Sequence, residues 1–317
     1  MRIELTVALL KMDEPADEIS TLLGHFNKRR HSWVIDPQLV EAVESLIERN
    51  MAPRRVPTYK KLASLAAKQQ HAYRTAMAPQ PVRITPEDLK ELVEDLDRPA
   101  VLVVENDGSD KCFVKAVAKI FGASDILEAL DKRWLEFGHG GGGDIYRRAR
   151  EEHGSFHQVR RAAALLDSDR LAPGTPEKNA HRIAELRALG MRVHVLTLRE
   201  AENYVPNKVL HAVKPIRKSM ARVSHLKKLD HAQRGHFDMK YGFKKTNGVP
   251  EQQRELFADV APRTIARLSD GGFGQNLLLP TFESMADRLT DTDLSRDIGR
   301  AVPDELRALL AMLREIL

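Results

Sequence analysis

An α/β fold, with a parallel sheet flanked by helices, is predicted by three features of this 317-residue sequence. Between residues 100 and 198, short apolar runs that read as strands alternate with helix-length stretches, the pattern of parallel sheets with helical crossovers. The apolar run Ala162-Ala163-Ala164-Leu165-Leu166 is continuous rather than alternating, as expected of a strand covered on both faces. Before and after this zone, leucine, valine and isoleucine recur at helical spacing. Three regions follow: residues 1–97, mainly helical; residues 98–210, the α/β core; and residues 211–317, basic and helical.

In the first region, Asp36-Pro37 offers an N-cap followed by proline at the first helical position. Leu39, Val40, Val43, Leu46 and Ile47 then recur at helical spacing. Thr85-Pro86-Glu87-Asp88 repeats the start signal before Leu89, Leu92, Val93 and Leu96. Tyr59 to Ala66 resembles the opening helix of a helix-turn-helix only weakly, and an ordinary packing helix is the plainer expectation. In the core, Val101-Leu102-Val103-Val104 is a β-branched run ending in Glu105. A polar turn and a helix through Phe113, Val114, Val117 and Ile120 follow, with Gly122 as the stop. Trp134 to Phe137 is a second strand, followed by the glycine run Gly138 to Gly143. The strand at 162–166, a helix from about Thr175 to Gly190 and the strand Val193 to Leu198 complete the core.

Composition excludes several classes. With 42% hydrophobic and 30% charged residues the chain is globular rather than disordered. No apolar run approaches the roughly 20 residues a membrane helix needs. Met1-Arg2-Ile3-Glu4-Leu5 carries an acid and no long apolar stretch, so no secretory signal is expected. Cys112 is the single cysteine and cannot form an internal disulfide, which fits a cytoplasmic location. The net charge of +5 is mild, but it is unevenly spread. From about 205 to 245 the sequence turns basic, with Lys208, Lys214, Arg217, Lys218, Lys227, Lys228, Lys244 and Lys245 as candidate nucleic-acid contacts. A solvated helical face is the plainer account of such a run. Leu306, Leu309, Leu310, Leu313 and Leu317 form a closing stripe that offers an apolar face for a homodimer.

The chemistry-bearing residues stand where strands end. Ligands of open α/β sheets bind beyond the carboxyl ends of the strands. Glu105 ends one strand, and Asp167 and Asp169 end another. An extended backbone would point that pair the same way, roughly 6–7 Å apart at their α-carbons. Carboxylates gathered on one rim suit Mg²⁺. The glycine run is not a phosphate-binding P-loop, because Asp144-Ile145-Tyr146 follows it in place of Lys-Ser or Lys-Thr. His153 and His157 stand four residues apart but lack a third zinc ligand.

Val103-Val104-Glu105 before an acidic turn, Leu166-Asp167-Ser168-Asp169 and Arg199-Glu200-Ala201-Glu202-Asn203-Tyr204 together resemble a TOPRIM domain. The flavour is that of the OLD (overcoming lysogenization defect) nucleases and stand-alone anti-phage defence effectors. The resemblance covers roughly residues 99–245. It implies a TOPRIM-like parallel sheet, with Glu105, Asp167 and Asp169 as its acids and Glu202-Asn203-Tyr204 as its Glu-Asn-Tyr signature. Asp110 is similar to a second acid after the glutamate, and Lys240 to a catalytic lysine. Asn106 departs from the glycine usual after the glutamate. The implied activity is a metal-dependent endonuclease of DNA or RNA, tRNA included, using one or two Mg²⁺ or Mn²⁺ ions. Glu105, Asp110, Asp167, Asp169 and Glu202 would be metal ligands, with Glu105 alternatively a base and Glu202 alternatively a brace. Lys240 would place a positive charge on the transition-state phosphate. A separately encoded ATPase partner is implied, since relatives carry an ATPase and none is evident here. Alternatives are a recombination-mediator-like module that binds nucleic acid without hydrolysis, and a primase-like nucleotidyl transferase.

Overall fold

The computed structural model describes residues 1–69, 80–246, 248–274 and 278–317. Two parallel sheets flanked by helices organise the chain. The first sheet is made of β1 (Arg2–Leu5), β2 (Ser32–Val34) and β3 (Val82–Ile84), in the order β2-β1-β3. Ile3 and Leu5 alternate inward along β1 and pack with Leu22, Leu23, Leu46, Leu92 and Leu96 from the surrounding helices. Helices make up most of the described part of the first region, and the small sheet among them had not been expected. Its strands are only three or four residues long, too short to imprint a periodicity. Tyr59, Ala63, Ala66 and Ala67 of the helix Val56–Gln69 are buried in the same cluster, the behaviour of a packing helix.

The second sheet holds β4 (Ala100–Val104), β5 (Leu135–His139), β6 (Ala162–Leu166) and β7 (Arg192–Val195), ordered β5-β4-β6-β7 and parallel throughout. Every residue of β6 is buried, which accounts for its unbroken apolar composition. Helices Ile145–Gly154 and Ala180–Ala188 cover one face through Tyr146, Ala149, Ile183 and Leu186, which pack on Val103, Ala164 and Leu166. Helices Asp107–Ile120, Leu278–Met285 and Val302–Ile316 belong to the core on the other face. The leucine stripe at the end of the chain is therefore not a free dimer surface. Leu306, Leu309, Leu310 and Leu313 are at most 2% exposed and bury against their own sheet.

The two sheets are tied by buried polar groups. The Asp95 carboxylate accepts the backbone N–H groups of His157 (2.9 Å), Gln158 (2.7 Å) and Val159 (2.9 Å). Arg161, fully buried, donates to the carbonyls of Leu96 (3.0 Å), Arg98 (2.7 Å) and Ile316 (2.9 Å). One guanidinium thus joins the first region, the main sheet and the last helix. Among the described residues no helix is long and apolar enough to cross a membrane.

Candidate active site

The strand order reverses between β4 and β6, and a crevice forms at such a switch point beyond the strand ends. Glu105 follows β4 there. Asn106 starts the next helix by accepting the N–H groups of Gly108 (3.0 Å) and Ser109 (3.2 Å) on its side chain. That turn brings Asp110 back, where it accepts the Asn106 N–H at 2.9 Å.

Asp167 follows β6 and accepts the Ala201 N–H at 3.0 Å. The extended geometry expected of the Asp167–Asp169 pair does not hold. β6 ends at Leu166, Ser168 is buried and donates to the Leu198 carbonyl at 2.7 Å, and Asp169 lies in the left-handed region at φ 51°. Asp tolerates that conformation because its short side chain bonds locally. Asp169 is exposed and pairs with Lys178 at 3.3 Å, whereas Asp167 is largely enclosed.

Beyond β7 the chain makes a single 3-10 turn, Ala201–Tyr204. Asn203 is a brace: it accepts the Glu200 N–H (3.1 Å) and donates to the carbonyls of Arg234 (3.0 Å) and Phe237 (2.9 Å). Tyr204 accepts the Leu198 N–H at 3.1 Å and donates to Glu305 at 2.6 Å. Glu202, the acidic member of the trio, is buried and 3.2 Å from the Lys240 ammonium.

Lys240 is held through its backbone. Asp238 accepts the N–H groups of Lys240 (3.0 Å) and Tyr241 (2.8 Å), while Phe273 and Gly274 donate to the carbonyls of Met239 (2.8 Å) and Lys240 (3.1 Å). This approach requires glycine at 272, where a Cβ would stand 2.5 Å from the Lys240 carbonyl. Gly272→Ala should therefore displace Lys240 and cost a few kcal/mol, as overpacking does. A melting curve identical to that of the native protein would refute this account.

Glu105, Asp110, Asp167, Asp169, Glu202 and Lys240 all line one cleft of about 820 Å³. The same cleft includes residues to which no role was expected: His139, Lys178, Arg199, Glu200 and Asp238. His139 obeys the strand-end rule already used for Glu105, since it pairs in register with Val104. Glu200 is buried 3.2 Å from Lys240, and Arg199 links Glu200 (3.4 Å) to Asp238 (3.5 Å). Their adjacency to Glu202 was the available signal.

Like charges crowd this cleft. Burial pushes Asp167 well above the usual carboxylate range, and the charges of Glu202, Asp110 and Glu200 push further. Burial raises Glu202 to about 7, with Lys240 opposing the rise. Glu105 and Asp110 are also raised, first by loss of water. Burial alone would depress Lys240, but Glu202, Glu200 and Asp167 outweigh it and raise its pKa.

An all-oxygen donor set with excess negative charge fits a hard divalent cation. Among the described residues, no three acids, histidines or cysteines already stand close enough together to hold one. Lys240 instead supplies compensating charge to Glu200 and Glu202.

Glu202 gives a pH prediction. Its folded pKa of about 7 exceeds the ordinary 4.5, so the folded chain holds that proton more tightly. The stabilisation is full below pH 4.5 and is lost as pH rises through 7. In EDTA, Glu202→Gln should gain on the native protein between pH 5 and pH 8, by on the order of 2 °C in Tm. A constant difference across that range would contradict the assignment.

Lys208, Lys214, Arg217, Lys218, Lys227, Lys228 and Lys244 are exposed, and none of them lines the cleft. Lys208 donates to the Arg288 carbonyl at 2.7 Å. The Lys245 side chain lies outside the described residues. Arg234, in the same basic run, is an internal brace, donating to the carbonyls of Asp297 (2.6 Å) and Val205 (2.8 Å). Compared with known protein families, curated proteins and solved structures, the chain matches none.

Proposed function

We propose that this protein is a metal-dependent endonuclease of DNA or RNA. The observation carrying this proposal is the gathering of acids from two adjacent strand ends with Lys240 in one cleft at the sheet's switch point. The resemblance to TOPRIM nucleases of the OLD type supports the same chemistry. Glu105, Asp110, Asp167 and Asp169 would hold one or two Mg²⁺ or Mn²⁺ ions, whose bound form lowers the pKa of water and neutralises charge on a phosphodiester. Lys240 adds a fixed positive charge beside that phosphate. Glu202, with a pKa of about 7, is suited to exchange a proton at neutral pH. Arg199 and Asn203 keep the Glu200–Glu202 segment in place. A role as the effector of an anti-phage system, governed by a partner ATPase, belongs to the same proposal.

Purified protein incubated with Mg²⁺ or Mn²⁺ on plasmid DNA and on tRNA should cut at least one of them, and EDTA should stop it. Cleavage that persists in EDTA, or no cleavage of either substrate even with a partner ATPase present, would overturn the proposal. One observation favours binding without hydrolysis: the Lys240 ammonium is already engaged by Glu200 and Glu202. That alternative expects nucleic-acid binding indifferent to chelators and to Asp167→Ala.

A further inference from the structure

The loop at Gly271–Gly272, which clasps the Met239 and Lys240 carbonyls, has its outer side against cations. A side chain at Gly271 would begin 3.4 Å from the Arg222 guanidinium, 3.9 Å from the Lys244 stem and 4.0 Å from the Tyr241 carbonyl. Arg222 and Lys244 therefore flank Gly271, beside the glycine that packs on the Lys240 carbonyl and within reach of Tyr241, which lines the cleft.

Arg222 belongs to the helix Ile216–Leu226, which packs on the helix Pro262–Ser269. Lys218 lies one turn before Arg222 on the same edge. The facing helix contributes Arg263 and Arg267, both exposed. His225, one turn after Arg222 on the same helix, is held below its ordinary pKa first by loss of water and then by the charges of Lys228, Arg267 and Arg263. Asp270 offsets part of the charge, pairing with Arg267 at 3.6 Å and drawing on Arg222.

We infer that Arg222, Lys244, Arg263 and Arg267, continued by Lys218 and Lys228, form a phosphate track that leads a nucleic-acid backbone to the cleft at Tyr241. The inference rests on the proposed function for what happens at the end of the track. Two of these residues, Arg263 and Arg267, lie outside the basic run of the sequence. Conversely, Lys208 is bonded to the Arg288 carbonyl, and Arg217 projects from a different side of its helix. The occupant is defined by its phosphodiester chain, because what the track presents is a run of exposed and half-buried cations.

The test is fluorescence anisotropy in EDTA with labelled 30-mers: single-stranded DNA, single-stranded RNA of the same sequence, and duplex DNA. Lys244→Glu combined with Arg263→Glu, both at exposed positions, should weaken binding about tenfold or more and reduce the salt slope by about one per lost phosphate contact. Arg222→Gln should act in the same direction, while Lys208→Ala and Arg217→Glu leave binding unchanged. The best-bound probe identifies the strand type. Equal losses from Arg217→Glu and from the track variants would mean general charge attraction and would overturn the inference, as would absence of binding by the native protein at low salt. If the track variants lose binding but the native protein cleaves nothing with Mg²⁺, the track stands and hydrolysis falls. If the native protein cleaves and the track variants bind normally, the reverse holds.

Discussion

Asp167→Asn is expected to cut the proposed nuclease activity steeply while leaving the fold intact. The amide keeps an oxygen to accept the Ala201 N–H, so the bond at 3.0 Å survives. What disappears is a negative charge from a group that Glu202, Asp110 and Glu200 already crowd. In EDTA the melting temperature should hold or rise, because relief of like-charge repulsion is the main change. In Mg²⁺ the cleavage rate should drop about 100- to 1000-fold, the scale of losing one preorganised electrostatic group. The contrast separates a metal ligand from a structural acid. A variant that melts early and cleaves normally would show that Asp167 supports the fold alone.

Lys240→Met should have two opposite effects. Cleavage should fall by a similar factor, about 100-fold, since the ammonium proposed to face the phosphate is gone. Affinity for Mn²⁺, measured by calorimetry at pH 8.5, should rise about tenfold. The native ammonium stands 3.2 Å from both Glu200 and Glu202 and raises the local potential that an incoming cation meets. The alkaline pH matters because Glu202, pushed up to about 7, would otherwise take up a proton once Lys240 is gone. Metal affinity that falls or stays constant would show that Lys240 does not compete with the ion.

Much of the main sheet was legible because burial on both faces leaves a plain trace. β4 and β6 are unbroken apolar runs, and each ends on acids at the sheet's rim. The small first sheet left no such trace. Ser32-Trp33-Val34 and Val82-Arg83-Ile84 become strands only by pairing with neighbours distant in the chain. The closing leucine stripe shows the opposite error: periodicity announces an apolar helix face but not what covers it, and here the main sheet does.

The residue types alone determined that strand ends would carry carboxylates and that a basic stretch would follow them. Local covalent pattern is enough for both, because strand burial and charge are written in consecutive residues. Only the tertiary structure decided which acids meet. It bent Asp169 out of the extended register through a left-handed backbone while keeping it in the cleft, drew Glu200 in beside Glu202, and set Lys240 between them by means of a glycine loop some 30 residues downstream. These outcomes depend on long-range hydrogen bonds and on space left by a missing Cβ, neither of which has a local signature.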